Sequence, residues 1–249
     1  MDLDPDLAAL RPLGGFFVLR TAGAVRETTT GRPPTLAQTY ACAEPDARGN
    51  ALTVRVRTVG QRLRTREPRV AASIAHQALA ARLWSTALGC AAVYGRLPDL
   101  DPGLLRWDPD AVAPDDLWLT EVRPLPGDAA TLADAVLRGH LEPLGEALRA
   151  RHGVAAGLLW GNAGSALAAA ARELDRWARG SGRTDVAERA RALTTELFDQ
   201  PLLGATGTRT GTSFRRRSCC LYYRVPGGGV CGDCCFARPP CSSPRAASG

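Results

Sequence analysis

The chain has 249 residues, 45% of them apolar, and a formal net charge of +6. It is long enough for one large domain, or one domain and a small module, with a core that forms without disulfides or metals. All 31 of its lysine-plus-arginine residues are arginine, which excludes a phosphate-gripping Gly-x-x-x-x-Gly-Lys loop and leaves a basic surface that attracts anions. The opening Met1-Asp2-Leu3-Asp4-Pro5 is acidic where a secretory signal would be basic. No apolar run approaches the roughly 18–20 residues needed for a transmembrane segment, so the expectation is a soluble cytoplasmic protein.

Along the chain, Phe16 to Leu19 reads as a strand. Residues 52–63 are ambiguous: Val54 and Val56 alternate with arginines like a strand, while Leu52, Val56, Val59 and Leu63 repeat like a helix. Val70, Ile74, Ala78, Ala81 and Leu88 keep helical spacing, with Pro68 near the first turn. Leu104–Trp107 and Leu117–Val122 read as two strands separated by a proline-rich loop that suits a hairpin-like pair. Residues 131–153 suggest two helices, broken near Gly139 and restarted at Pro143. A longer helical stripe joins Trp160, Ala163, Leu167, Ala170, Leu174 and Trp177, and its Gly161, Gly164 and Ser165 would let another element pack closely. Asp185-x-x-Glu188 suggests a further helix start, followed by the apolar face of Val186, Ala190, Leu193 and Leu197. The class expected is α+β: a helix-dominated body with a few strands, plus a small C-terminal cysteine-rich module. The boundaries expected are 1–203 for the body, 204–236 for the module and 237–249 for a disordered tail, with the Gly/Thr-rich stretch Gly204–Thr212 as the joining loop.

Eight cysteines in a reducing compartment point to metal or redox work rather than a disulfide framework. Cys42 and Cys90 stand alone and read as small apolar residues. The other six fall between Cys219 and Cys241. Cys219-Cys220, ten residues, then Cys231-Gly232-Asp233-Cys234 form the constellation. The Cys-x-x-Cys half chelates one ion well, Gly232 easing its turn, and Gly227-Gly228-Gly229 allow a reversal that brings the two pairs together. Neighbouring cysteines diverge on any regular element, so aiming both at one site needs a local kink. A two-iron cluster eases this more than a zinc ion, which demands tighter convergence; a zinc knuckle stays as the alternative. Cys235 is a thiol that could replace Cys234, and Cys241 a bystander. The histidines His76, His140 and His152 are far apart, with no serine–histidine or paired-carboxylate constellation beside them.

Arg217-Ser218-Cys219-Cys220-Leu221-Tyr222-Tyr223-Arg224, the glycine turn and Cys231-Gly232-Asp233-Cys234 resemble the C-terminal signature of the FhuF-like ferric siderophore reductases. Arg69–Ser73 leading to Trp84, and Leu158–Ala163, resemble recurring stretches of the same family. The resemblance implies a [2Fe–2S] cluster on Cys219, Cys220, Cys231 and Cys234. It implies one-electron reduction of a ferric siderophore in iron acquisition. With no dinucleotide fingerprint, electrons would come from another protein, such as a ferredoxin or a flavin reductase. Arg215, Arg216, Arg217 and Arg224 stand where they could dock substrate or donor. Tyr222 and Tyr223 would pack over the site, and Trp84 and Trp160 would be core. The competing readings are a zinc-binding nucleic-acid or interaction module, suggested by the arginine run, and an iron or redox sensor; no nucleic-acid partner is expected, because no recognition helix follows the cysteines.

Overall fold

A computed structural model of the protein describes residues 3–21, 33–41 and 50–240. After a 3-10 turn at Ala8–Leu13 come β1 (Arg20–Thr21), α1 (Leu36–Tyr40), α2 (Ala51–Arg62) and α3 (Pro68–Tyr94). Four short strands follow: β2 (Arg96–Pro98), β3 (Leu105–Trp107), β4 (Leu117–Leu119) and β5 (Pro124–Pro126). Then come α4 (Ala129–Leu132), a π-helical stretch (Ala133–Leu141), α5 (Glu142–His152), α6 (Ala156–Gly180), α7 (Thr184–Phe198) and α8 (Pro201–Gly204). The hairpin β6 (Gly207–Thr210) and β7 (Ser213–Arg216) leads into the cysteine segment. The class is α+β with helices dominating, as the sequence predicts.

The axis of the fold is α3. Pro68 opens it where no intrahelical N–H is needed, and Gly95 closes it in the left-handed region at φ 71°. Most of its side chains are small, so neighbours approach from several sides and nearly every residue from Val70 to Tyr94 is buried. Around it pack α2, α5, α6 and α7. Its Cys90 is fully buried, an apolar filler as expected. Cys42, Cys241 and the rest of the tail from 241 onward lie outside the described residues. Among those residues, no helix is long and apolar enough to cross a membrane.

Several sequence expectations change for definite reasons. Residues 52–63 settle as helix: the Asn50 side chain accepts from the Leu52 amide at 2.9 Å, and Leu52, Val56 and Val59 turn inward. Phe16–Leu19 is not a strand. Arg82, 1% exposed inside α3, meets Asp116 at 2.9 Å and donates to the carbonyls of Gly15, Phe16 and Val18, so those groups never reach a sheet. Only Arg20–Thr21 pairs, parallel to Trp118–Leu119. The predicted hairpin-like pair does form, with Leu105 opposite Leu119 and Trp107 opposite Leu117. Residues 129–152 wind on without the expected break; the widened π turns precede Pro143, whose ring enters without ending the helix. Asp185 sits inside the first turn of α7, bonded to the Arg183 side chain, rather than capping it.

The Gly/Thr-rich stretch is the hairpin β6–β7 rather than a joining loop. Its two-residue turn uses Gly211 at φ 60°. A Cβ on Gly207 would come within 2.5 Å of the Arg215 carbonyl, so this position must stay bare for the strands to close.

Candidate metal centre

The hairpin lays the cysteine segment across α3 and α6. Phe214 packs on Phe198 at 5.3 Å between ring centroids and lies over the bare backbone of Gly164. Ser218 donates to the Gly157 carbonyl at 2.8 Å and rests on Gly161, where a Cβ would collide with it. The small residues of the α6 stripe thus receive the module, as their pattern predicts. From the other side, Ser73 on α3 donates to the Cys220 carbonyl at 2.7 Å, and Asn162 donates to the Ser73 carbonyl at 2.9 Å.

The kink that two adjacent cysteines require is present one residue later. Leu221 takes the left-handed conformation, φ 68°, and Tyr222–Arg224 then form one 3-10 turn. The chain reverses through Gly227, at φ 73°, and Gly228, where a Cβ would lie 2.4 Å from the Tyr222 carbonyl. Gly232 differs from its expected role. It is outside the left-handed region and a Cβ there would meet nothing within 4 Å, so the Cys231–Cys234 turn, closed by Cys234 N–H to the Cys231 carbonyl at 3.1 Å, does not depend on it.

The thiols fall into two groups, and of the four expected ligands only Cys219 and Cys234 share one, with Cys235 as its third member. The sulfurs of Cys219, Cys234 and Cys235 lie within 4.8 Å of one another, while Cys220 and Cys231 stand outside that group and interact with each other. Backbone amides two residues on point at the sulfurs: Leu221 to Cys219 at 3.3 Å and Phe236 to Cys234 at 3.4 Å. Tyr222 and Asp233 amides serve Cys220 and Cys231 in the same way. The interaction with Cys231 holds the Cys220 thiol down at about 7 and pushes Cys231 up. Burial raises Cys219 and Cys235.

The one carboxylate in this segment is turned away from the sulfurs. Asp233, 8% exposed, accepts from Ser165 at 2.6 Å and pairs with Arg172 at 3.1 Å, both on α6, while its carbonyl accepts from the Arg216 amide at 3.0 Å. Sequence reading missed Asp233, Ser73 and Gln77 as parts of the site, because each works through a contact between distant segments.

The four arginines part company. Arg215, Arg217 and Arg224 are exposed; Arg224 pairs with Glu67 at 2.8 Å and Arg215 reaches the Cys235 carbonyl at 3.1 Å. Arg216 does not belong with them. It is 2% exposed, bonded to Gln77 at 3.1 Å, to the Leu158 carbonyl at 3.4 Å and to Asn162, so it cannot dock a substrate or donor. The signal was in the strand: side chains alternate along β7, and Phe214 and Arg216 share the inward face. Of the two tyrosines, Tyr222 is 37% exposed and Tyr223 packs edge-to-face on Phe236 at 5.9 Å. Trp84 is fully buried and Trp160 half-buried, both in the core.

A donor set of five sulfurs and no carboxylate, with amides aimed at the sulfurs and a buried cation beside them, suits an anionic iron–sulfur group. The fold and the site together define an iron–sulfur redox protein. Residues 98–206 match the family described as ferric iron reductase FhuF-like transporter, and residues 216–236 match the FhuF 2Fe-2S C-terminal domain. The chain belongs to the FhuF-like family of ferric iron reductases, and its cofactor is a [2Fe–2S] cluster. No curated protein matches it.

Proposed function

We propose that this ferric iron reductase acts in the cytoplasm on iron held by a siderophore, with Cys219, Cys220, Cys231 and Cys234 as the cluster ligands. The observation that carries the reading is the sulfur cluster at the molecular surface: Cys220 is buried, while Cys219, Cys231, Cys234 and Cys235 are half-buried. Around them stand exposed Tyr222, Val230 and Phe236, and the exposed guanidinium groups of Arg215, Arg217 and Arg224. An electron can leave such a centre without the substrate entering a deep pocket. Apolar and cationic groups at the rim suit contact with a bulky, neutral or anionic ferric chelate, or with an acidic protein donor such as a ferredoxin or a flavin reductase.

When bound, a [2Fe–2S] cluster supplies one electron at a time. Siderophores hold Fe(III) through hard oxygen donors. Fe(II) is larger, less charged and softer, so one added electron turns a nearly irreversible complex into a labile one. The chain's own residues position the reaction. Ser73, Ser218 and Asp233 fix the thiol loops on α3 and α6. The amides of Leu221, Tyr222, Asp233 and Phe236 favour the thiolate forms that bind iron.

The test is anaerobic. Visible and EPR spectra before and after dithionite should show charge-transfer bands and a signal from the reduced state. With a donor and a ferric siderophore, Fe(II) captured by a coloured chelator should accumulate over many turnovers. Fe(II) production that stops after one equivalent per protein, with donor in excess, would sink the reductase reading and favour a sensor.

A further inference from the structure

Buried cations need anions. Removing a guanidinium from water is costly unless a charge compensates it. Among the described residues no carboxylate pairs with Arg216. Its hydrogen-bond acceptors are the Gln77 and Asn162 side-chain amides and the Leu158 carbonyl, all neutral, and its Nε is buried without any. Among the described residues the two buried acids are committed elsewhere, Asp116 to Arg82 and Asp233 to Arg172. The contrast with Arg82 is instructive: that equally buried arginine does have its carboxylate, at 2.9 Å. What does lie beside Arg216 is the cysteine loop: its own backbone amide donates to the Asp233 carbonyl at 3.0 Å, between Cys231 and Cys234. Its charge bears on Cys219, Cys220, Cys231 and Cys235.

We propose that Arg216 is the fixed counter-charge of the iron–sulfur centre, raising its reduction potential. The proposal rests on thiolate ligation of the cluster in this segment. Two ferric ions, two sulfides and four thiolates carry a net double negative charge, and reduction adds a third. A cation held in a low-dielectric interior attracts the reduced form more strongly than the oxidised form, so it favours uptake of the electron. Arg216 is placed to do this because three neutral acceptors, from α3 and α6, orient the guanidinium without cancelling its charge. A carboxylate in place of either side-chain amide would silence it. Arg216 is a positioning and tuning residue, since it touches neither iron complex nor donor.

Three variants test this by redox titration followed with EPR, on protein whose iron and sulfide contents are measured first. Arg216→Gln removes the charge and keeps an amide near Asn162. Arg216→Lys keeps the charge and loses the planar fork. Gln77→Glu leaves Arg216 in place and gives it a carboxylate. The midpoint potential should fall in Arg216→Gln and in Gln77→Glu, and stay closest to the parent protein in Arg216→Lys. A role in packing alone predicts a different pattern, with lysine as disturbed as glutamine and Gln77→Glu unmoved. Should Arg216→Gln fail to fold, Gln77→Glu decides the matter: cluster-loaded protein with an unchanged midpoint overturns the proposal. A loaded parent protein that never turns over ferric siderophore would sink the functional reading and leave this one standing.

Discussion

On the proposed ligand set of Cys219, Cys220, Cys231 and Cys234, the surplus thiol is Cys235. Its sulfur is grouped with those of Cys219 and Cys234 within 4.8 Å, so position alone does not disqualify it. What favours Cys234 is the backbone. Cys234 closes the turn begun at Cys231 and receives the Phe236 amide at 3.4 Å, a donor that stabilises a thiolate. Cys235→Ser should therefore keep full iron and sulfide and an unaltered EPR signal. Cys234→Ser should keep a cluster with shifted g-values, carried by Cys235, and the double variant should hold none. Equal loss in Cys234→Ser and the double variant would show that Cys235 never reaches the iron. By the same logic Cys220→Ser has no spare: Cys220 is buried, the thiol it interacts with is Cys231, and its loss should abolish the cluster.

At the scale of elements, the site depends on a clamp between α6 and the hairpin. Gly164→Ala would bring a Cβ to 2.5 Å from the Thr206 hydroxyl, which itself donates to the Leu203 carbonyl, and to 3.2 Å from the Phe214 ring. Overpacking of this kind costs about 1–3 kcal/mol, read as a lower thermal midpoint, and should loosen the module enough to lower iron content. An unchanged midpoint and full iron would mean that the hairpin is not held by close approach. The small residues of this clamp were legible because helical spacing places Gly161, Gly164 and Ser165 near one another, and small residues there mean close packing. The cysteine spacing was legible for a similar reason, since it lies within one short segment. Contacts across the chain were not. Nothing in Phe16–Leu19 reveals that Arg82 takes its carbonyls, and nothing in a run of three arginines says which one faces inward unless the strand before it is recognised. Reading Gly204–Thr212 as a loop hid that strand, and with it the burial of Arg216.

For the molecule as a whole, acid should loosen the body before it acts on any exposed ion pair. His140 is fully buried: its Nε2–H donates to the Leu100 carbonyl at 2.6 Å, and its Nδ1 accepts from the Tyr40 hydroxyl at 2.9 Å. Both ring nitrogens are thus used by the neutral form. Burial holds its pKa down at about 4 against an ordinary 6.5, although the Leu100 carbonyl and the charge of Asp101 pull upward. His76 is held down at about 3, by burial first and by the charge of Arg216 second; Glu142, Glu146 and Arg149 line the cavity of about 180 Å³ beside it. For a group lowered on folding, the unfolded chain binds the proton first. Its stabilising contribution is whole above about pH 6.5 and is lost as the pH falls toward 4. The two histidines together are worth on the order of a few kcal/mol across that window. The thermal midpoint should therefore decline steadily from pH 6.5 to 4. In His140→Gln, which offers an amide donor to Leu100 and cannot titrate, the midpoint is lower at pH 7 but declines less steeply. Any effect of acid on the sulfur site is common to both proteins, so the difference between the two slopes isolates His140. Parallel slopes would show that His140 does not carry the acid transition and would leave it to His76 and the sulfur site.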